Sequence, residues 1–157
     1  MNSYVRSAIA GCLATLPMSL WMLLAQRLLL RPRERYALPP EQITEHAAEA
    51  VGLDGVAHDK PKRKAASIVN HFAYGAAAGA LYAPLRPLAA PALLKGVLFG
   101  SLVWSGSYLG LLPVLGLLSS ATEHPARRNV LMIVAHLIWG GVLSVLVEAN
   151  TRKNVRR

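Results

Sequence analysis

Residues 129–149 read NVLMIVAHLIWGGVLSVLVEA, an apolar run with one histidine, His136, near its middle and its only carboxylate, Glu148, at the far end. Coiled into a helix, a run of this length reaches about 30 Å, the hydrocarbon thickness of a bilayer. A soluble helix of that length needs a polar stripe along one side, and this one has none. The stretch therefore predicts a membrane-spanning helix. Three others extend the pattern, over residues 7–30, 67–85 and 93–118, with charges only at their boundaries, such as Arg27 and Lys95. The predicted fold is all-α: a membrane four-helix bundle forming a single domain over residues 1–157.

The segment around His136 has a counterpart earlier in the chain. Pro125-Ala-Arg-Arg leads to His136-Leu-Ile-Trp139-Gly140, and Pro61-Lys-Arg-Lys leads to His71-Phe-Ala-Tyr74-Gly75. Each is a proline, a basic cluster, an apolar stretch and then His-x-x-aromatic-Gly, with the proline-to-glycine spacing differing by one residue. This predicts an internal repeat, one helical hairpin used twice, with the two hairpins parallel about an axis along the membrane normal. His71 and His136 would then enter from the same face and lie at similar depth.

Every run carries small residues at three- and four-residue spacing. They are Ala8, Gly11, Cys12, Thr15 and Ser19 in the first; Gly75 and Gly79 in the second; Gly96, Gly100, Ser107 and Gly110 in the third; and Gly140 and Ser144 in the fourth. In lipid, where apolar surface gains little by leaving its surroundings, such stripes let helix backbones approach closely. Pro17 is a predicted kink. In the long first loop a short helix is expected over residues 41–51, ended by Gly52, lying on the membrane surface, capping the bundle, or serving as a plain solvated connector.

The 157 residues are 54% hydrophobic and carry a formal charge of +9. The basic residues cluster at the ends of apolar runs, where they anchor helices at anionic headgroups, so a lipid bilayer and not nucleic acid is the expected partner. For four spans the 17 Lys and Arg divide ten against seven between the two sides, too evenly to fix the orientation. Cys12 is the only cysteine, which excludes an internal disulfide. No metalloprotease, hydrolase or phosphate-loop motif is present, so the sequence points away from an enzyme without deciding the matter.

The chain resembles the poorly characterised bacterial four-span inner-membrane families of which the YagU-type proteins are one. The likeness lies in Pro39-Pro40 after the first span, the H-x-x-Y-G-x-x-x-G-x-x-Y pattern from His71 to Tyr82, the segment from Trp104 to Pro113, and His136 to Trp139. It implies a multi-pass inner-membrane protein and carries over no catalytic residues.

Chemistry converges on His71 and His136, because a histidine inside a span is costly and normally faces the protein interior. The first expectation is structural, interhelical hydrogen bonding to Tyr74, Tyr108, Ser105 or Asn70 within a polar and aromatic cluster of Tyr74, Trp104, Tyr108 and Trp139. Ligation of a b-type haem is the cofactor alternative, with Gly75 and Gly140 making room for the macrocycle. Otherwise no cofactor and no other metal is expected. Passage of protons or a small solute is a further alternative. So is service as an accessory subunit of a larger membrane complex or as a homo-oligomer.

Overall fold

The computed structural model describes residues 2–155. The C-terminal basic cluster of Arg152, Lys153, Arg156 and Arg157 lies outside the residues whose side chains it describes. The described chain is all-α, with no strand. Helix α1 (Ser3–Leu29) is capped by the Asn2 side chain, which accepts from the Tyr4 amide at 3.0 Å, and Pro17 lies within it. Helix α2 (Pro39–Ala50) opens on two prolines, tolerated in a first turn whose amides lack helical partners. It ends where Gly52 turns left-handed at φ +72°, letting the Leu53 amide reach back to the Ala48 carbonyl at 2.8 Å. A single turn, α3 (Asp54–Ala57), leads into α4 (Lys60–Ala80), capped by the Asp59 carboxylate on the Lys62 amide at 3.2 Å.

Helix α5 (Ala92–Ser105) widens into a π-helical turn over Gly106–Leu111 before the short α6 (Leu112–Val114). Pro113 has no amide hydrogen to give the regular ladder, and the wider turn beside it shifts the register, burying Ser107 and Tyr108. Gly116, at φ +67°, closes this end. The last helix, α7 (Ala126–Val155), follows a 3-10 turn over Ala121–Glu123.

Three helical segments among the described residues are long and apolar enough to cross a membrane: Ser3–Leu29, Ala92–Val114 and Ala126–Ala149. The stretch expected over residues 67–85 does not reach that standard. Its helix stops at Ala80, and the Lys60–Lys64 end is strongly basic. What remains, residues 65–80, is about 24 Å long, short of the roughly 30 Å core of a bilayer.

Helix α7 packs on both α1 and α5, while α4 packs on α1 and carries α2 on its other flank. Two crossings are set by glycine. A Cβ placed on Gly11 of α1 would strike the Gly75 carbonyl oxygen and come within 2.7 Å of Gly79 Cα; one placed on Gly96 of α5 would strike the Gly140 carbonyl and the Ser144 hydroxyl. Leu13, Leu16, Leu20 and Leu24 cover the outer face of α1 and are exposed. Ala14, Met18, Met22, Ala135, Trp139, Leu143 and Val147 fill the interior.

Candidate functional site: a capped cavity holding two histidines

A cavity of about 220 Å³ lies between the helices, and both His71 and His136 line it. Thr15, Met18 and Met22 of α1 form one wall, and Asn70, His71, Tyr74 and Ala78 of α4 another. The third comes from Val103, Ser107, Tyr108 and Leu112, and the last from His136 and Trp139 of α7. Pro40, Ile43, Thr44 and Ala47 of α2 close one end, so the loop helix caps the bundle. No Asp, Glu, Lys or Arg is among the lining residues. The space is largely apolar, with a few convergent hydrogen-bonding groups.

The hydrogen-bond partners of the histidines are not the residues named from the sequence: His71 bonds across to α1, and His136 bonds within its own helix while meeting Tyr108 through its ring. His71 Nδ1 lies 3.3 Å from Ser19 Oγ of α1. His136, 5% exposed, donates from Nδ1 to the Met132 carbonyl of its own helix at 2.8 Å, which leaves Nε2 as an acceptor. Its ring meets Tyr108 edge-on, with centroids 5.6 Å apart.

The aromatic residues tie helices together. Tyr74 and Ser107 share a 2.6 Å hydroxyl hydrogen bond between α4 and the π turn. Trp139 Nε1 donates to the Gly11 carbonyl of α1 at 3.0 Å, and Trp21 Nε1 of α1 donates to the Leu131 carbonyl of α7 at 3.1 Å. Trp104 stands outside the cavity, stacked on Tyr108 with ring centroids 6.2 Å apart. The flanks of Gly75 and Gly140 are filled: Thr15 and Gly11 stand beside the first, Gly96 and Gly100 beside the second.

Thr44 and Trp21 take part although their residue types gave no functional signal, while Thr15 belongs to the small-residue stripe of α1 and Asn70, expected to bond a histidine, bonds elsewhere. The one usable hint was that Asn70 immediately precedes His71 inside an apolar run, where an amide needs a partner. It finds one in the cap, donating to Thr44 Oγ1 at 3.2 Å. The cap is fastened more strongly by Arg63, which reaches Glu41 at 3.3 Å, Glu45 at 3.0 Å and the Ala57 carbonyl at 2.6 Å. His46 Nδ1 adds a 2.9 Å contact to the Leu117 carbonyl.

Hydrogen bonds to charged groups contribute about 1.5–3 kcal/mol each, so Arg63→Gln is expected to raise the opening of α2 about tenfold or more. Amide exchange across residues 39–50 would register it, with the α5–α7 core unaffected; protection left unchanged in α2 would show that the cap is held by packing alone.

Comparison with curated proteins and with solved structures gives no match. A family described as a protein of unknown function, DUF2938, matches residues 8–149, from the first turns of α1 through His71 and His136 to Glu148 and Ala149 in α7. The chain is a member of this DUF2938 family, whose function is unknown.

Proposed function

We propose that this chain is a four-span protein of the bacterial inner membrane, made of two copies of one helical hairpin, which binds a small uncharged molecule in the cavity between them. The observation that carries the binding reading is that His71 and His136, one from each hairpin, line a single charge-free cavity closed by α2. A mostly apolar hollow with a few convergent polar groups is the usual form of a small-molecule site. The lack of a charged lining residue favours a neutral occupant, since an ion would be stripped of water with nothing to replace it.

The repeat is supported by contacts that the sequence correspondence did not include. Gly75 and Gly140 each follow their histidine by four residues, and each packs on a glycine of the preceding long helix, Gly11 or Gly96. Tyr74 and Trp139 each follow by three, and each hydrogen-bonds across to the other hairpin. For α4 to span, its basic first turns must lie at headgroup level with the lysine stems extended along the lipid, an arrangement open to long cationic side chains. Kinship with the YagU-type families belongs to the same proposal.

A haem between the histidines is less well supported. The cavity falls below the ~300–1,000 Å³ of typical ligand and cofactor pockets, and Gly75 and Gly140 adjoin packed helices instead of open space. Proton passage lacks a carboxylate among the lining groups.

Phenol, small and neutral with one hydroxyl, is a suitable probe, and benzoate is its charged counterpart. Phenol is expected to quench tryptophan emission saturably through Trp139, and benzoate is not. Ala47→Trp, which fills the cavity from the cap, should abolish saturable phenol binding detected by ligand NMR. Equal binding of both probes, or phenol binding that survives Ala47→Trp, would count against the cavity as the site.

A further inference from the structure

Arg63 and Arg128 hold the same place in the two hairpins, each eight residues before the span histidine. Their surroundings differ in one respect. Arg63 has two carboxylates, Glu41 and Glu45, both from α2. Arg128 is 1% exposed and, among the described residues, has no ion-pair partner. Its Nη2 donates to the Ala37 carbonyl at 2.7 Å, its guanidinium lies 3.6 Å from the centre of the Tyr36 ring, and its Nη1 is buried without a hydrogen-bond partner.

The neighbours do not neutralise it. Burial holds the Tyr36 phenol above its ordinary range despite the nearby guanidinium, so it presents a neutral ring. Its hydroxyl is 2.8 Å from His124 Nδ1, and burial together with the Arg128 charge keeps that imidazole below its usual value. Glu123 is exposed and makes no ion pair with Arg128. The asymmetry follows from loop length. Residues 31–66 have room for a helix carrying Glu41 and Glu45, whereas the connection before α7 holds only the 3-10 turn Ala121–Glu123.

We propose that Arg128 is the recognition residue of an oxyanion site, taking a phosphate group as the counter-charge that its equivalent, Arg63, receives from within the chain. A guanidinium fork with a free N–H matches phosphate oxygens, and the first turn of α7 is the positive end of a long helix. Arg127 beside it, and Arg31, Arg33 and Arg35 in the loop that carries Tyr36, are exposed and extend the basic field. The Tyr36 ring covers one face of the guanidinium. The group comes from an anionic lipid headgroup or from free phosphate; the lipid source rests on the four-span reading, the anion chemistry does not.

The test is thermal unfolding of the full chain in neutral maltoside detergent, titrated at constant ionic strength with short-chain phosphatidylglycerol, short-chain phosphatidylcholine and inorganic phosphate. Phosphatidylglycerol is expected to raise the midpoint saturably by several degrees and phosphatidylcholine to leave it unmoved. Arg128→Gln should lose the response, while Arg127→Gln, which removes the same charge from the exposed neighbour, keeps it. A response to inorganic phosphate with the same dependence on Arg128 also supports the site and assigns it to a soluble oxyanion. The proposal is overturned if neither phosphatidylglycerol nor phosphate shifts the wild-type protein, or if Arg128→Gln responds as wild type does. Should Arg128→Gln not fold, Arg128→Lys retains the charge without the fork and is expected to weaken binding at least tenfold; undiminished affinity would overturn the site as well.

Discussion

Gly140→Ala is expected to destabilise the protein by about 3 kcal/mol, at the upper end of overpacking effects, while Gly141→Ala one position along is nearly neutral. The contrast depends on what each new methyl group meets. At Gly140 it would press on the Gly96 carbonyl oxygen and come within 3.0 Å of the Gly100 backbone, so relief requires α5 and α7 to move apart along their whole contact. At Gly141 it would meet only the tip of the Leu93 side chain at 3.2 Å, which can rotate away. Helix propensity runs the other way, favouring alanine over glycine by up to about 1 kcal/mol, so a loss confined to position 140 cannot be a backbone-entropy effect. Gly11→Ala tests the matching crossing of α1 on α4, where the obstacle is again backbone, the Gly75 carbonyl and Gly79 Cα. Reversible unfolding in mixed micelles, with helicity followed against denaturing detergent, measures all three. Equal stability of the 140 and 141 variants would remove the claim that the α5–α7 crossing is set by contact between glycine backbones.

That contrast also marks how far the sequence could be read. Spacing along a run identified the glycine stripe of each helix, because the period of a stripe is a property of one helix. Which stripe meets which is a property of the pair. Nothing in residues 96–100 says that they lie against Gly140 and Ser144 rather than Gly75 and Gly79. The same limit applies to His136, placed on an interior face by its cost in lipid, whose actual partner is the Met132 carbonyl one turn back. The end of α4 was not legible from apolar length, since the run continues beyond Ala80 through Leu81 and Leu85 while the α-helix does not. The π turn was not legible because its cause is a conflict between Pro113 and the preceding ladder. Capping was one of several readings of the loop helix, and its own residues could not decide between them. Glu41 and Glu45 have the appearance of a solvated helix face until Arg63, about twenty residues later, is seen to meet both.

Lys95 and Glu148 have the sequence positions of interfacial anchors, but their side chains are only 7% and 24% exposed and form an ion pair at 2.7 Å. Lys95 Nζ also donates to the carbonyls of Arg86 at 3.1 Å and Leu88 at 3.2 Å, and the Tyr82 hydroxyl donates to Glu148 at 3.4 Å. The pair thus joins the start of α5 and the turn after α4 to the far end of α7. Glu148→Gln keeps the shape and removes the charge, leaving an ammonium group buried against two carbonyls. Removing one partner of a buried pair costs about 3–5 kcal/mol, because the remaining charge has lost its compensation without regaining water. Lys95→Met should cost less, about 1–2 kcal/mol, since Glu148 is a quarter exposed and retains the Tyr82 hydroxyl. The double variant, Lys95→Met with Glu148→Gln, buries no charge at this position and should recover most of the loss suffered by Glu148→Gln alone. A double-mutant cycle on unfolding free energies isolates the effect, and additive single substitutions would mean that the two side chains act separately. Coupling of the expected sign would mean that this end of the bundle depends on charge neutrality more than on any one hydrogen bond, the same requirement that leaves Arg128 in want of an anion at the other end of α7.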